Sequence, residues 1–334
     1  MERLRKLLGL AVLILAVTFV ATFGEHDRIT LGPSGPAATV DIVVPSGYQI
    51  ELVARGLSFP TQVTFDERGE LYLVESGGRG EGPARVVKLM PDGSLRPVAT
   101  GFQAPVTGVV LKDGRLWASH RGRLTLIEPD GKRRDLVSGL PSLGDYPNHA
   151  PVWSPDGWLY FGQGSVTNAG VVGLDNLAWL KRHPGAHDRP ATDLVLVGHN
   201  FTTADVLAAG NGAVTRTGAF SPFGVPGVPG QNVRGSVLPS GAVYRIRPDG
   251  TGLEVVAWGL RNPCGLAFDR KGVLWVYNQG YEERGSRPVA NAPDELHALK
   301  SGRWYGFPDY AAGEPLAQPK YRPADGPEPE ALLR

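Results

Sequence analysis

Apolar and polar residues alternate along this chain in short runs, as in Gln62-Val63-Thr64-Phe65 and Leu71-Tyr72-Leu73-Val74, with Asp/Gly turns such as Asp113-Gly114 and Asp156-Gly157 between runs. A period of two broken by such turns predicts antiparallel hairpins. The pattern also repeats. Four times, starting at Gly56, Gly101, Gly139 and Gly259, the chain writes Gly-Leu or Gly-Phe, an apolar run, a turn with Gly, and then Leu followed by Tyr or Trp. From the first Gly to that Leu the distance is 15 residues in three copies and 20 in the third, Gly139 to Leu159. Further strands close most units: Arg85 to Leu89, Arg123 to Ile127 and Ala242 to Ile246, each followed by Pro-Asp-Gly.

About four strands per unit of ~40 residues is the sequence signature of a β-propeller blade. The reading is an all-β, six-bladed-type propeller of which about four blades and part of a fifth are present, spanning residues 47–334 with its first strand at Tyr48 to Val53. A helical solenoid would need a 3.6-residue apolar period, which is nearly absent. An immunoglobulin-like sandwich accounts poorly for the fixed internal spacing.

Composition fits an architecture of strands and turns: 42% hydrophobic residues, with 45 Gly and 29 Pro in 334. A net charge of +1 with no basic stripe argues against nucleic acid as a partner. The single cysteine, Cys264, excludes an intrachain disulfide framework and a Cys-rich metal site.

Arg3, Arg5 and Lys6 precede an apolar segment from Leu7 to Phe23. A basic start followed by such a segment predicts export to the periplasm or the extracellular space. Residues 1–24 read equally as a cleaved signal peptide or as a retained membrane anchor over 7–23, and residues 25–46 as a linker.

The third unit is five residues longer than its sisters, and the excess falls in Gly144-Asp145-Tyr146-Pro147-Asn148-His149, in a link that in a propeller opens onto the end of the central channel. A lone His is more often structural, yet a neutral imidazole is the best general base near pH 7, and His149 sits in the one unit that breaks the spacing. Arg261 and Asn262 occupy the corresponding link of the fourth unit. Together they offer donors for a carboxylate or for a carbonyl oxygen gaining charge. Beyond Trp275, the carboxylates of Asp294-Glu295 near exposed carbonyls suit a hard cation. Residues at about 165–239 form a loop-rich insertion. Its His183, His187, Asp188 and His199 fall in loops with no helix to align them as metal ligands, so a lid over the channel mouth is the better reading.

Arg261-Asn262-Pro263 with Gly265-Leu266-Ala267-Phe268, Asp294-Glu295-Leu296 and Trp304-Tyr305-Gly306-Phe307-Pro308 resemble the soluble glucose/sorbosone dehydrogenase family from about Gly47 to Pro308. His149 with Trp153-Ser154-Pro155-Asp156-Gly157 resembles that family's catalytic histidine segment. Val171 to Asn176 and Pro222 to Pro226 resemble the insert of its membrane-associated bacterial members.

The resemblance implies a six-bladed propeller using pyrroloquinoline quinone and Ca²⁺ to oxidise the C1 hydroxyl of an aldose to a lactone, with electrons passed to an external acceptor. It implies that His149 takes the hydroxyl proton, that Arg261 polarises the quinone carbonyl and that Asn262 hydrogen-bonds the cofactor. Cys264 falls at a cofactor-contacting position where the soluble glucose enzyme has Gln. Backbone carbonyls of Gly280 and Tyr281 would hold the bridging Ca²⁺, and Glu295 with the backbone of Tyr305 a structural one.

Three further features depart from the family's pattern. Tyr281 stands where the glucose enzyme has Pro, and about Ser165 stands where it has an acidic residue near the histidine. The basic residues that grip the cofactor's carboxylates come from later blades, so the chain reads as C-terminally truncated or as needing another chain. Alternative readings are a non-catalytic ligand- or protein-binding propeller and a Ca²⁺-dependent lactonase, the latter opposed by the Arg-Asn-Pro string.

Overall fold

The structure, a computed structural model, describes residues 26–31, 40–208 and 212–334. It divides at Gly56 into two units. In the first, β1 (His26–Leu31) pairs antiparallel with β2 (Val40–Pro45), within the stretch read as a linker. The apolar segment Leu7 to Phe23 lies outside the described residues. Among the described residues no helix is long and apolar enough to cross a membrane. Tyr48 to Val53, expected as the first blade strand, is irregular and mostly exposed. A strand needs an edge to pair with, and this segment has none.

The second unit is all-β, with few helical residues and four sheets in propeller arrangement. Blade one runs β3 (Pro60–Phe65), β4 (Leu71–Ser76), β5 (Ala84–Leu89) and β6 (Leu95–Ala99), each strand antiparallel to the next. Blade two repeats this with β7 (Val106–Lys112), β8 (Arg115–His120), β9 (Arg123–Ile127) and β10 (Arg133–Val137). Blade three begins with β11 (Val152–Trp153) and β12 (Leu159–Gln163), and then the chain leaves the sheet.

Among the described residues the excursion contains a 3-10 turn, Leu174–Asn176, running into one α-helical turn, Leu177–Leu180, and two strand pairs. One is β13 (Leu194–Val195) with β16 (Asn232–Val233); the other is β14 (Asn200–Ala204) with β15 (Val214–Gly218). The chain returns as β17 (Ala242–Ile246), beside β12, and β18 (Glu254–Trp258). Blade four has three strands, β19 (Asn262–Phe268), β20 (Leu274–Gln279) and β21 (Glu295–Ala298).

The constant spacing has a backbone cause. The first Gly of each repeat and the Gly of its first hairpin turn are all left-handed, with φ between +72 and +83°. Any other residue strains there, so the two glycines fix where each strand starts and turns.

Apolar side chains of successive blades meet face to face. Val74, Val86 and Phe102 pack on Val106, Val109 and Ala118; Trp117, Leu124 and Leu126 on Leu159, Phe161 and Tyr244; Val243 and Leu260 on Leu274 and Val276. Each buried aliphatic side chain contributes roughly 1.5–3 kcal/mol, so these interfaces, rather than any central core, hold the blades together. Beyond blade four the pattern stops: Trp275 (37%), Tyr277 (40%) and Leu296 (66%) leave its far face open.

A fifth blade is not found among the described residues. After Trp304 the chain makes the short pair β22 (Tyr310–Ala311) and β23 (Glu314–Pro315) and then folds back on the insertion. Asp309 holds that return in place. Its carboxylate pairs with buried Arg287 at 2.9 Å and accepts the N–H groups of Leu332 and Leu333 at 2.7–3.0 Å. Leu332 then packs among Val171, Leu196 and Phe220.

Candidate functional site

The links into β7 and β11, the β4–β5, β8–β9 and β20–β21 loops and the insertion border a cavity of about 480 Å³. Its wall includes Asp145, Tyr146 and Pro147, from the lengthened link of the third unit, and Trp179 from the insertion. Asn148 anchors that link. Fully buried, it accepts the Gly122 N–H at 2.8 Å and donates to Ser119 Oγ and the Arg123 carbonyl.

His149 follows two residues after the wall residue Pro147 and is not itself on the wall. Its N–H donates to the Gly162 carbonyl at 2.8 Å, and its Nε2 lies 2.6 Å from Asn262 Oδ1, joining positions 113 apart in sequence. Asn262 is held in turn: its N–H donates to Asn278 Oδ1 at 3.0 Å and its Nδ2 to Gln279 Oε1 at 2.9 Å. With Nδ2 so engaged, Oδ1 faces the imidazole, so Nε2 carries the proton and Nδ1 the lone pair; this tautomer is assigned from the hydrogen-bond network. Desolvation lowers the pKa of His149 to about 4, against a smaller opposing effect of the Asn262 bond. At neutral pH the ring is uncharged. Ser165 offers no carboxylate to counter this: it is buried, donates its N–H to the Arg261 carbonyl at 2.7 Å and its hydroxyl to the Thr167 carbonyl at 2.6 Å.

Arg261 is 1% exposed, behind the cavity wall rather than on it. Its guanidinium stacks 4.4 Å from the Tyr146 ring centroid and donates to the Tyr146 hydroxyl, to the carbonyl and side chain of Asn168 at 3.1 and 2.8 Å, and to Glu282 at 3.0 Å. Burying such a charge is costly unless it is paired and hydrogen-bonded, and here it is both. One nitrogen, Nη1, is buried without an acceptor among the described residues.

Gly280, Tyr281, Glu295 and Tyr305, the positions the resemblance assigns to Ca²⁺, line one small cavity that also includes Arg261. It has no room for a water-sized sphere. Glu295 is its one carboxylate, already accepting from Asn278 Nδ2 at 2.8 Å, from His297 and from the Ala312 N–H. One engaged carboxylate beside a guanidinium does not make a cage for a divalent cation as these residues stand. Among the described residues no group of three or more His, Cys, Asp or Glu could hold a metal. Asp188 of the insertion instead accepts from Val166 N–H, Thr167 and Ser240, and His199 pairs with Glu330 at 2.8 Å. Cys264 lies at the bulge of β19, half-buried, its thiol pushed up to about 11 by burial, and lines neither cavity.

His149, Asn262 and Arg261 are thus neighbours through Asn262 and its chain bond to Arg261. Tyr146, Glu282 and Arg284 were not singled out from the sequence, although Tyr146 belongs to the same lengthened link that pointed to His149. Arg284 bridges Asp145, Asp175 and Glu282, and nothing in its spacing announces that.

Residues 234–328 match the sequence model of the Glucose / Sorbosone dehydrogenase family. A comparison with curated proteins gives no match. Among solved structures the chain is similar to an oxidoreductase of Thermus thermophilus described as a glucose dehydrogenase, at 17% identity over 86% of this chain and 73% of that one, TM-score 0.48. It is also similar to the PQQ-bound aldose sugar dehydrogenase of Streptomyces coelicolor (18%, covering 80% and 70%, TM-score 0.48). A third likeness is to the holo PQQ domain of the Coprinopsis cinerea pyranose dehydrogenase (16%, covering 80% and 55%, TM-score 0.43). At such identities and scores these likenesses carry no functional argument, and the fold stands on its own sheet order. Arg261-Asn262-Pro263, Asp294-Glu295-Leu296 and Trp304 to Pro308 all fall inside the matched stretch, whereas His149 lies outside it, so the similarity to the family's model covers less than half of this four-bladed all-β chain.

Proposed function

We propose that this chain is a quinone-dependent sugar oxidoreductase, taking an aldose at its C1 hydroxyl to the lactone with pyrroloquinoline quinone as hydride acceptor. The observation that carries the reading is the 2.6 Å contact between His149, a neutral imidazole, and Asn262. It joins the residue nominated as base to one nominated for the cofactor.

The cofactor is a planar tricarboxylate, and the cavity of about 480 Å³ has room for such a group and a guanidinium without a carboxylate partner among the described residues, that of Arg121, on its wall. When bound it would supply the two-electron redox chemistry. The chain's own part is to hold and move a proton. His149 would accept the hydroxyl proton at Nδ1, while its Nε2–H, fixed by Asn262, keeps the ring oriented. Arg261 acts at one remove, holding Tyr146 and Glu282 in place. It is a positioning residue. The Ca²⁺ implied by the resemblance has no cage here, and no step is assigned to it. Export, by signal peptide or anchor, and an external electron acceptor belong to the same proposal.

The test is turnover of an aldose with added pyrroloquinoline quinone and a redox dye. Replacing His149 by Ala should remove at least about 100-fold of the rate, the lower range for a general base. Unchanged turnover in that variant would take His149 out of the mechanism. Absence of any turnover together with absence of cofactor binding would leave the reading of a non-catalytic binding propeller.

A further inference from the structure

The cavity lining carries two unlike sets of charges. In one, Asp145, Asp175 and Glu282 surround Arg284, whose nitrogens reach Asp145 at 2.9 Å and Asp175 at 2.6 Å, and Arg261 adds a second cation to Glu282 at 3.0 Å. Charge there is balanced within the protein. The other set is Arg79 from the β4–β5 loop, Arg121 from the β8–β9 turn and Arg182 from the insertion. None of these three pairs with a carboxylate among the described residues.

Arg121 is half-buried and its Nε has no acceptor among the described residues. Burial and the neighbouring charge of Arg182 both lower its pKa, and the same two cations depress His183 after burial does. Arg182 is itself tied down by a hydrogen bond from Nη2 to the Ala178 carbonyl at 2.8 Å. Like charges brought together around an open volume, with a donor already stripped of water, are stabilised when an anion fills it.

We infer that Arg121 and Arg182, with Arg79 at the rim, form a receptor for the carboxylates of a polycarboxylate ligand in this cavity. The inference rests on the reading above for the ligand's identity, because it assigns these residues to the cofactor's carboxylates. They would do, from blades one and two and the insertion, what the resemblance gives to basic residues of later blades.

The test is titration of the full chain, followed by calorimetry and by tryptophan fluorescence, to which Trp179 on the cavity wall contributes. Three probes are used: pyrroloquinoline quinone, benzene-1,3,5-tricarboxylate, which has the charges without the quinone, and inorganic phosphate. The expected result is that Arg121→Gln and Arg182→Gln each weaken tricarboxylate binding about 10- to 100-fold, that Arg121→Lys falls between, and that Lys271→Gln, on an exposed turn, changes nothing. Added salt should weaken the wild-type chain more than either Gln variant. Circular dichroism shows whether each variant is folded.

If the quinone binds wild type and the Gln variants equally, the receptor is overturned while the oxidoreductase reading stands. If benzene tricarboxylate binds in an arginine-dependent way and the quinone does not, the receptor stands and the cofactor assignment falls. Phosphate binding that matches the tricarboxylate in strength and arginine dependence would overturn the polycarboxylate class. If no probe binds, both inferences fail.

Discussion

His149 is a base weakened by its surroundings. A pKa of about 4 keeps the ring neutral, and so able to accept a proton, across the whole neutral range, yet it lowers the driving force for taking one. Activity that depends on it should therefore persist to about pH 5, below where an ordinary histidine has protonated; a rate profile falling with an inflection near 6.5 would contradict this. Stability follows the same group with a definite sign. Between about 4 and 6.5 the unfolded chain holds a proton that the folded chain excludes, so His149 makes stability rise with pH through that window and costs stability below it. His120, lowered to about 4 mainly by burial, acts in the same direction. Asp175, raised to about 6 chiefly by burial and then by Asp145, acts in the opposite one. His149→Gln should flatten the slope of melting temperature against pH between 4 and 6.5; an unaltered slope would show that the ring titrates normally. At this scale the meeting of His149 with Asn262 is legible in the sequence because both stand where the repeat's links stand. Arg121, Tyr146 and Arg284 are not, because what a side chain faces depends on loops brought from distant sequence.

At the scale of the element, the turns are written in glycine. Gly157 and Gly259 are both left-handed, at φ +83° and +76°, but a Cβ on Gly157 would meet open space, whereas one on Gly259 would overlap the Trp304 indole. Gly157→Ala should cost about 1–2 kcal/mol, the strain of that backbone region alone. Gly259→Ala should cost about 2–5 kcal/mol, since overpacking adds to the strain. Equal midpoints in urea would refute the distinction. This dependence is also why the blades could be read from sequence: the residue type and the backbone conformation are one constraint. Tyr48 to Val53 and the expected part of a fifth blade differ from the structure for the complementary reason. Strand-like patterning is local, but a strand exists only with an edge to bond to, and the pull of Asp309 on the chain after Trp304 is a long-range contact no local pattern contains.

At the scale of the whole propeller unit, stability resides in interfaces between neighbours, so the sheets behave as a nearly one-dimensional array. Blades two and three each bury two faces, while blade four buries one and leaves Trp275, Tyr277 and Leu296 open. Leu159, fully buried between blades two and three, should cost about 2–5 kcal/mol when cut to Ala, measured by urea unfolding. Opening one sheet of such an array does not require opening the next. Backbone amides of β20 and β21 should accordingly trade their hydrogens for deuterium well before those of β8 and β12, and the exchange should advance inward sheet by sheet, as a zip undone from its loose end.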